Sequence, residues 1–405
     1  METQSQSRIG QLTAVAIIVA VATVVAIANW RDVQRSKRPH TSGSLLGSPG
    51  APGTSRADLE ARVRDMESRV AKNPDDAGAA VLLADALMRQ TRVTGNVGLA
   101  VRAESVLQRV LVDNPGNYDA NRMLATLYLS EHRFRDALAT AEKTRADRPS
   151  DPINYGIIGD AHLELGEYDE AFAAFDEMMT RRPSAAAYAR VAYARELQGN
   201  LDGAIEVMKL AADATSPTDP EGLAWTRAQL GDLYFQRGRL NDAKAAYAQA
   251  SQAFPGHPFA VIGYAKVIAA EGDRVGAINL LAGLAETSPT PDLFARIGDL
   301  YAQLGHRDEA ERQYALAEAA WRTDAPEPKN LARFLADHDR NLNDAVAIAE
   351  RAARERHDIF TEDALAIAYF KTGRVDEARR AIAQALRTGT RDQSIRAHAK
   401  AISGV

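Results

Sequence analysis

The 405-residue chain contains no cysteine, which excludes disulfides, thiolate metal sites and cysteine nucleophiles. Aromatic residues are scarce at 6%, and alanine is abundant, a bias that favours closely packed helices over sheets. Neither sign of charge dominates: the net charge of −5 offers no basic face of the kind nucleic acid requires, so no nucleic-acid partner is expected. The sequence also lacks a phosphate-binding glycine loop, an H-E-x-x-H pair and a nucleophile elbow. Its eight histidines are dispersed, with His132 and His306 at or beside turns between helices. The expectation is a non-enzymatic protein with no cofactor, no bound metal, no catalytic residues and no small-molecule substrate.

What is present begins with an uncharged run. After a short tail (1–8), residues 9–30 carry no charge, and their core reads LTAVAIIVAVATVVAIA. At ~1.5 Å per residue such a helix spans roughly 33 Å, enough for a bilayer core of ~30 Å. Trp30 would sit at the interface, followed by Arg31, Arg35, Lys37 and Arg38. A cleaved signal peptide is the competing reading, since Ala26-Ile27-Ala28 forms an A-x-A site. The n-region carries only Arg8 beside Glu2, and four basic residues beyond the site oppose translocation. The reading is a single-pass anchor, with membrane contact through this N-terminal helix. Residues 31–56 follow as a tether: in KRPHTSGSLLGSPGAPGTSR, thirteen of twenty residues are Pro, Gly, Ser or Thr. That composition cannot bury enough apolar surface to offset its ordering entropy. Leu59, Val63, Met66 and Val70 then fall on one face of a capping helix over 57–74.

The rest of the chain repeats itself. LGDLYFQRGRLNDA at 230–243 returns as IGDLYAQLGHRDEA at 297–310. Equivalent alanines stand at 103, 137, 171, 204, 243, 277, 310, 345 and 378, in steps of 33 to 35 apart from one of 39. Twelve residues before most of them is a small residue, such as Gly159, Ala192, Gly231 or Gly298, with a tyrosine three further on in several copies. A turn glycine recurs at 166, 199, 238, 272, 305 and 373, and proline closes many units. The small residue is expected to let helix A approach helix B, and the alanine marks their crossing. Phe175, Tyr247 and Tyr314, one turn beyond the alanine, are expected to pack towards the following unit. Nine copies span residues 75–390, leaving 391–405 as a C-terminal capping helix or tail. The first, fourth and eighth copies are degraded by insertions. In the eighth, DHDRNLND resembles the start of a calcium loop, but Leu342 and Ile348 stand where Gly and Glu are needed, so it reads as a polar turn.

A 34-residue period with G-x-x-Y, A-x-x-x-F/Y and a terminal proline resembles the tetratricopeptide repeat (TPR), a helix–turn–helix unit. The resemblance implies an all-α fold, a right-handed α-solenoid of about nine repeats behind a single transmembrane helix. Phrases such as YARVAYARELQGNLDGAIEVMKLA are similar to a group of membrane-anchored bacterial TPR proteins. That likeness implies a mode of use and no catalytic residues. In TPR arrays the A helices line a concave groove. The groove positions one residue after the small one include Asp85, Asp160, Tyr193, Asp232, Lys266, Asp299 and Arg333, with Glu164 nearby. These acids would favour a basic segment of a protein or peptide partner, although Asp is also ordinary helix surface. As exposed charges, Asp160, Asp232 and Asp299 should contribute little to folding. The function implied is a membrane-anchored scaffold or adaptor for protein–protein interaction. The alternative is an assembly or maturation factor that holds extended clients at the membrane. The basic flank of the anchor points the array to the cytoplasm, whereas the resemblance points to the periplasm. Those two arguments leave the side open.

Overall fold

A computed structural model describes residues 55–323 and 328–404. The tail, the anchor and nearly all of the tether lie outside the described residues. No described helix is long and apolar enough to cross a membrane. All regular structure among the described residues is helical. The first helix, Arg56–Lys72, starts inside the predicted tether because Ser55 and Asp58 form a reciprocal capping box. Nine A/B helix pairs follow. They are Ala77–Thr94 with Gly98–Asp113, Tyr118–Ser130 with Phe134–Asp147, Pro152–Leu165 with Tyr168–Arg181, Ala185–Leu197 with Leu201–Ala214, and Pro220–Gln236 with Leu240–Ala253. The remaining four are Pro258–Ala270 with Arg274–Ala285, Pro291–Gln303 with Arg307–Thr323, Pro328–Asp337 with Leu342–Glu355, and Ile359–Lys371 with Val375–Ala385. A terminal helix, Gln393–Ser403, closes the array.

Each pair is a hairpin whose turn is written in the sequence. In repeat 5, helix A ends as Gly238 takes φ +78°, and the Arg239 N–H returns to the Tyr234 carbonyl at 2.8 Å. That bond satisfies an orphan carbonyl of the helix end. Repeats 2 and 8 have no glycine here, and His132 and Asp339 adopt positive φ instead. The tyrosine in this motif carries the following cation on its ring: Arg133 over Tyr128, Arg239 over Tyr234 and Arg374 over Tyr369, at 3.9–4.6 Å.

The nine marker alanines are all buried at the A/B crossing. The aromatic one turn later lies against the small residue of its own helix A. A Cβ on Gly231 would sit 2.6 Å from the Tyr247 ring, and Gly263 of the next repeat faces the same ring. One tyrosine therefore joins two repeats, which extends the expectation that it packs towards the following unit.

The array also packs on itself across its winding. The A–B turn of repeat 1 meets the loop before repeat 7, where Ser288 is buried beside Gly95 and its hydroxyl faces the Val93 carbonyl at 3.5 Å. The turn of repeat 3 meets the loop before repeat 9, with His357 N–H donating to the Leu165 carbonyl and Ile359 N–H to the Tyr168 hydroxyl at 2.9 Å. Both offsets are six repeats, so about six repeats complete one superhelical turn. The seam is apolar as well as polar: Leu163, Tyr168, Phe175 and Leu197 share a core with Ile359, Ile382, Ile395 and Ile402.

The degraded repeats supply further contacts of this kind. The first and fifth A helices are both long, and their extra turns meet: Arg89 binds Asp219 at 2.7 Å and Arg92 binds Glu221 at 2.8 Å. Burial would raise Glu221, but His257 and Arg92 hold it below the usual carboxylate value. In the calcium-loop look-alike, Asp339 pairs with Lys371 and Asp337 with His398 of the terminal helix.

Gly166 combines positive φ with a backbone above it. A Cβ there would lie 2.5 Å from the His357 carbonyl carbon, whereas nothing approaches Gly238 within 4 Å. Gly238→Ala should therefore cost only left-handed backbone strain, on the order of 1–2 kcal/mol. Gly166→Ala should cost clearly more and raise amide exchange in residues 355–403. Urea titration with residue-level hydrogen exchange checks both; equal losses would contradict a packed seam.

His398 bridges Asp337 at 3.0 Å and the buried Asp363 at 2.8 Å, one carboxylate on each ring nitrogen. Burial opposes its charge, but the two acids push its pKa up to about 9. Because the folded value is raised above the ordinary 6.5, its stabilisation is full below about pH 6.5. It fades as pH rises through about 9. Protection of residues 393–403 from exchange should fall over that window and become insensitive to it in His398→Asn.

Candidate partner-binding surface

The groove positions singled out in the sequence lie on the A helices, but their carboxylates are already bonded within the chain. Asp160 accepts two bonds from Arg190 of the next A helix, at 2.9 and 2.6 Å. Asp232 accepts from Lys266 of the next A helix and, at 2.9 Å, from the Tyr247 hydroxyl. Asp299 accepts from the Tyr314 hydroxyl at 3.0 Å and lies 2.8 Å from His338 Nε2. Burial opposes the charge on His338, but Asp299 and the Phe334 carbonyl hold its pKa above the usual value. Asp85 binds Arg89 within its own helix at 3.1 Å. Arg333 faces the buried Asp363, whose pKa burial raises. The structure thus brings Asp232 and Lys266 together as a pair and ties the other aspartates to residues not singled out as groove positions: Arg190 for Asp160, Tyr314 and His338 for Asp299, and Arg89 for Asp85. The tyrosine rings were legible as packing, but their hydroxyls as partners were not.

The middle of the concave face is covered by the following superhelical turn. Glu164 of repeat 3 lies 3.4 Å from Arg356 and 3.9 Å from Lys329, both from the eighth repeat and its exit. Those cations also bind the buried Asp358, at 3.3 and 3.1 Å. Tyr193 is held among these groups, and its hydroxyl is raised well above the ordinary value by burial and then by Glu164 and Glu196. Burial pushes Glu196 up to about 7, against the bond from Gln236 Nε2 at 2.6 Å.

Towards the N-terminal end the concave face stays open. A cavity of about 630 Å³ lies along the A helices of repeats 1 and 2 and the start of repeat 3, and Phe259 of repeat 6 contributes to its wall. Its apolar lining includes Met88, Met123 and Ile153, and its charged lining is Arg89, Arg92 and Arg122 with Asp85. Among the described residues no group of histidines and carboxylates is placed to hold a metal ion. The arrangement offers shape, apolar contact and charge.

Stacked helical hairpins wound into a closed superhelix define a repeat protein of the α-solenoid class. Family models described as "Tetratricopeptide repeat" match residues 122–186, 158–220 and 234–295, so these segments are similar to tetratricopeptide repeats. It is 27% identical over 269 residues to "Cellulose synthase operon protein C" of Pseudomonas fluorescens, covering 66% of this chain and 18% of that protein. It is 29% identical over 101 residues to human "Tetratricopeptide repeat protein 21B", covering 23% of this chain and 8% of that one. The chain therefore spans less than a fifth of either relative. Among solved structures, the APC/C hetero-tetramer Cut9-Hcn1 superposes with a TM-score of 0.53 at 17% identity, over 85% of this chain and 59% of that one. The human IFIT1 dimer with m7Gppp-AAAA gives 0.53 at 15% identity, over 82% and 78%. At these identities the likeness is one of fold.

The bonds contradict the reading of Asp160, Asp232 and Asp299 as free exposed charges. Asp232→Asn strips Lys266 and the buried Tyr247 of a charged acceptor, and should lower stability by roughly 1–3 kcal/mol. Denaturant unfolding of this variant against Asp376→Asn, at a largely exposed carboxylate (side chain 80% exposed), is the measurement. Equal midpoints would return Asp232 to the status of free surface charge.

Proposed function

We propose that the protein is a membrane-tethered scaffold whose repeat array holds a protein partner at the bilayer and performs no chemistry itself. The observation that carries this reading is the open cavity on the concave side of repeats 1–3, in a fold whose family works by binding. The uncharged run 9–30 and the basic cluster after it support the tether. A winding closed by a shared apolar core supports a rigid docking surface rather than a yielding one. That favours one folded partner in fixed ratio over a factor that holds many extended clients.

Two measurements test the reading. The full chain should sediment with membranes, resist release by high salt and dissolve in detergent; release by salt alone would remove the anchor. A photo-crosslinking residue at Thr126, in the cavity wall, should give one discrete adduct in cells. A ladder of many adducts would favour the client-holding reading, and no adduct at all would count against binding on this face.

A further inference from the structure

We propose that the cavity formed by repeats 1–3 and repeat 6 takes an acidic segment with apolar side chains from the protein partner. This rests on the scaffold reading and specifies its site and the partner's chemistry.

The first argument is charge. Three guanidinium groups line the cavity against one carboxylate, Asp85. Arg89 pairs with Asp85 within the lining and with Asp219 outside it, and the partners of Arg122 and Arg92, Asp151 and Glu221, lie outside the lining. The cavity is therefore presented with three guanidinium groups against one carboxylate, and the other compensating acids stand behind it. A guanidinium has five N–H donors, and Arg122 spends two on Asp151 and Asp119, at 3.2 and 3.4 Å. Donors remain for a carboxylate arriving from outside, in the paired geometry that arginine favours.

The second argument is apolar exposure. Ile153 and Phe259 remain 43% and 39% exposed although both line this one concavity, from repeats 3 and 6. Met88 and Met123 are half-buried in the same lining, unbranched side chains that adapt to an incoming group. Covering such side chains is favourable at ~25 cal/mol per Å². An acidic residue next to a leucine-like one meets both demands, whereas a basic segment would have to approach three arginines.

The test uses the purified full chain and three fluorescein-labelled synthetic peptides: alternating Glu and Leu, alternating Lys and Leu, and alternating Glu and Ser. Fluorescence anisotropy should show binding of the Glu–Leu peptide, with the other two at least about tenfold weaker. Arg122→Gln and Phe259→Ser should each weaken the Glu–Leu peptide by a similar factor. Phe259 is partly exposed, so that variant keeps the fold, which circular dichroism verifies; Ile153→Ser supplies a second apolar test. Equal or tighter binding of the Lys–Leu peptide overturns the proposal. So does binding unaffected by all three substitutions, or no binding of any peptide. If the discrete adduct in cells persists while the peptides fail, the scaffold reading stands with different partner chemistry.

Discussion

Everything in this array follows from how closely helix A can approach helix B. Where a Cβ would stand on Gly231, the ring of Tyr247 stands instead, and the same ring reaches Gly263 of the next repeat. Overfilling such a contact costs ~1–3 kcal/mol, so the crossing tolerates little change in size. Each crossing sets a small rotation between neighbours, and repetition accumulates it. After about six repeats the chain has come round and lies against itself, so that the turn of repeat 3 touches the start of repeat 9. The seam is thus a consequence of the crossing, made stable by its own buried Tyr168 and Ile359.

That closure changes what kind of repeat protein this is. In an open solenoid each repeat meets only its neighbours, and stability is a sum of local terms. Here repeat 1 is bonded to repeat 5 through Arg89 and Asp219, and repeat 3 to the start of repeat 9 through the His357 and Ile359 N–H groups. A disturbance in repeat 5 therefore has a route to repeat 1 that bypasses repeats 2 to 4. Contacts at these points reach beyond nearest neighbours.

The legible part of the fold is the part that residue type dictates locally. Glycine at a left-handed position, alanine at a crossing and proline at the close of a unit each admit few substitutes, so a period of 33 to 35 residues could be counted directly. The His132 and DHDRNLND turns were legible for the same reason. The winding was not, because it is a sum of small rotations that no single residue encodes. The ion pairs were hidden by distance: Asp160 finds Arg190 thirty residues on, Asp232 finds Lys266 thirty-four on, and Asp299 finds His338 thirty-nine on. An acidic row on one helix face looks like an acidic groove only while those partners are unknown. The anchor and tether readings fall outside the described residues and keep their standing as readings of composition.

The repeats that looked degraded carry much of the consequence. The insertion before repeat 5 adds the extra turn that brings Asp219 and Glu221 to repeat 1, and the long first A helix supplies Arg89 and Arg92 to meet them. One set of contacts does two things. It ties repeat 1 to repeat 5 across the winding, and it neutralises two arginines from outside the cavity while their guanidinium groups still line it. Without the insertion Arg92 would lose Glu221, and Arg89 would keep only Asp85 of its own helix. The middle of the concave face is filled by the chain's own Lys329 and Arg356, and the open end keeps its cations and its exposed Phe259. Departure from the repeat pattern, rather than adherence to it, is what gives this surface a chemistry of its own.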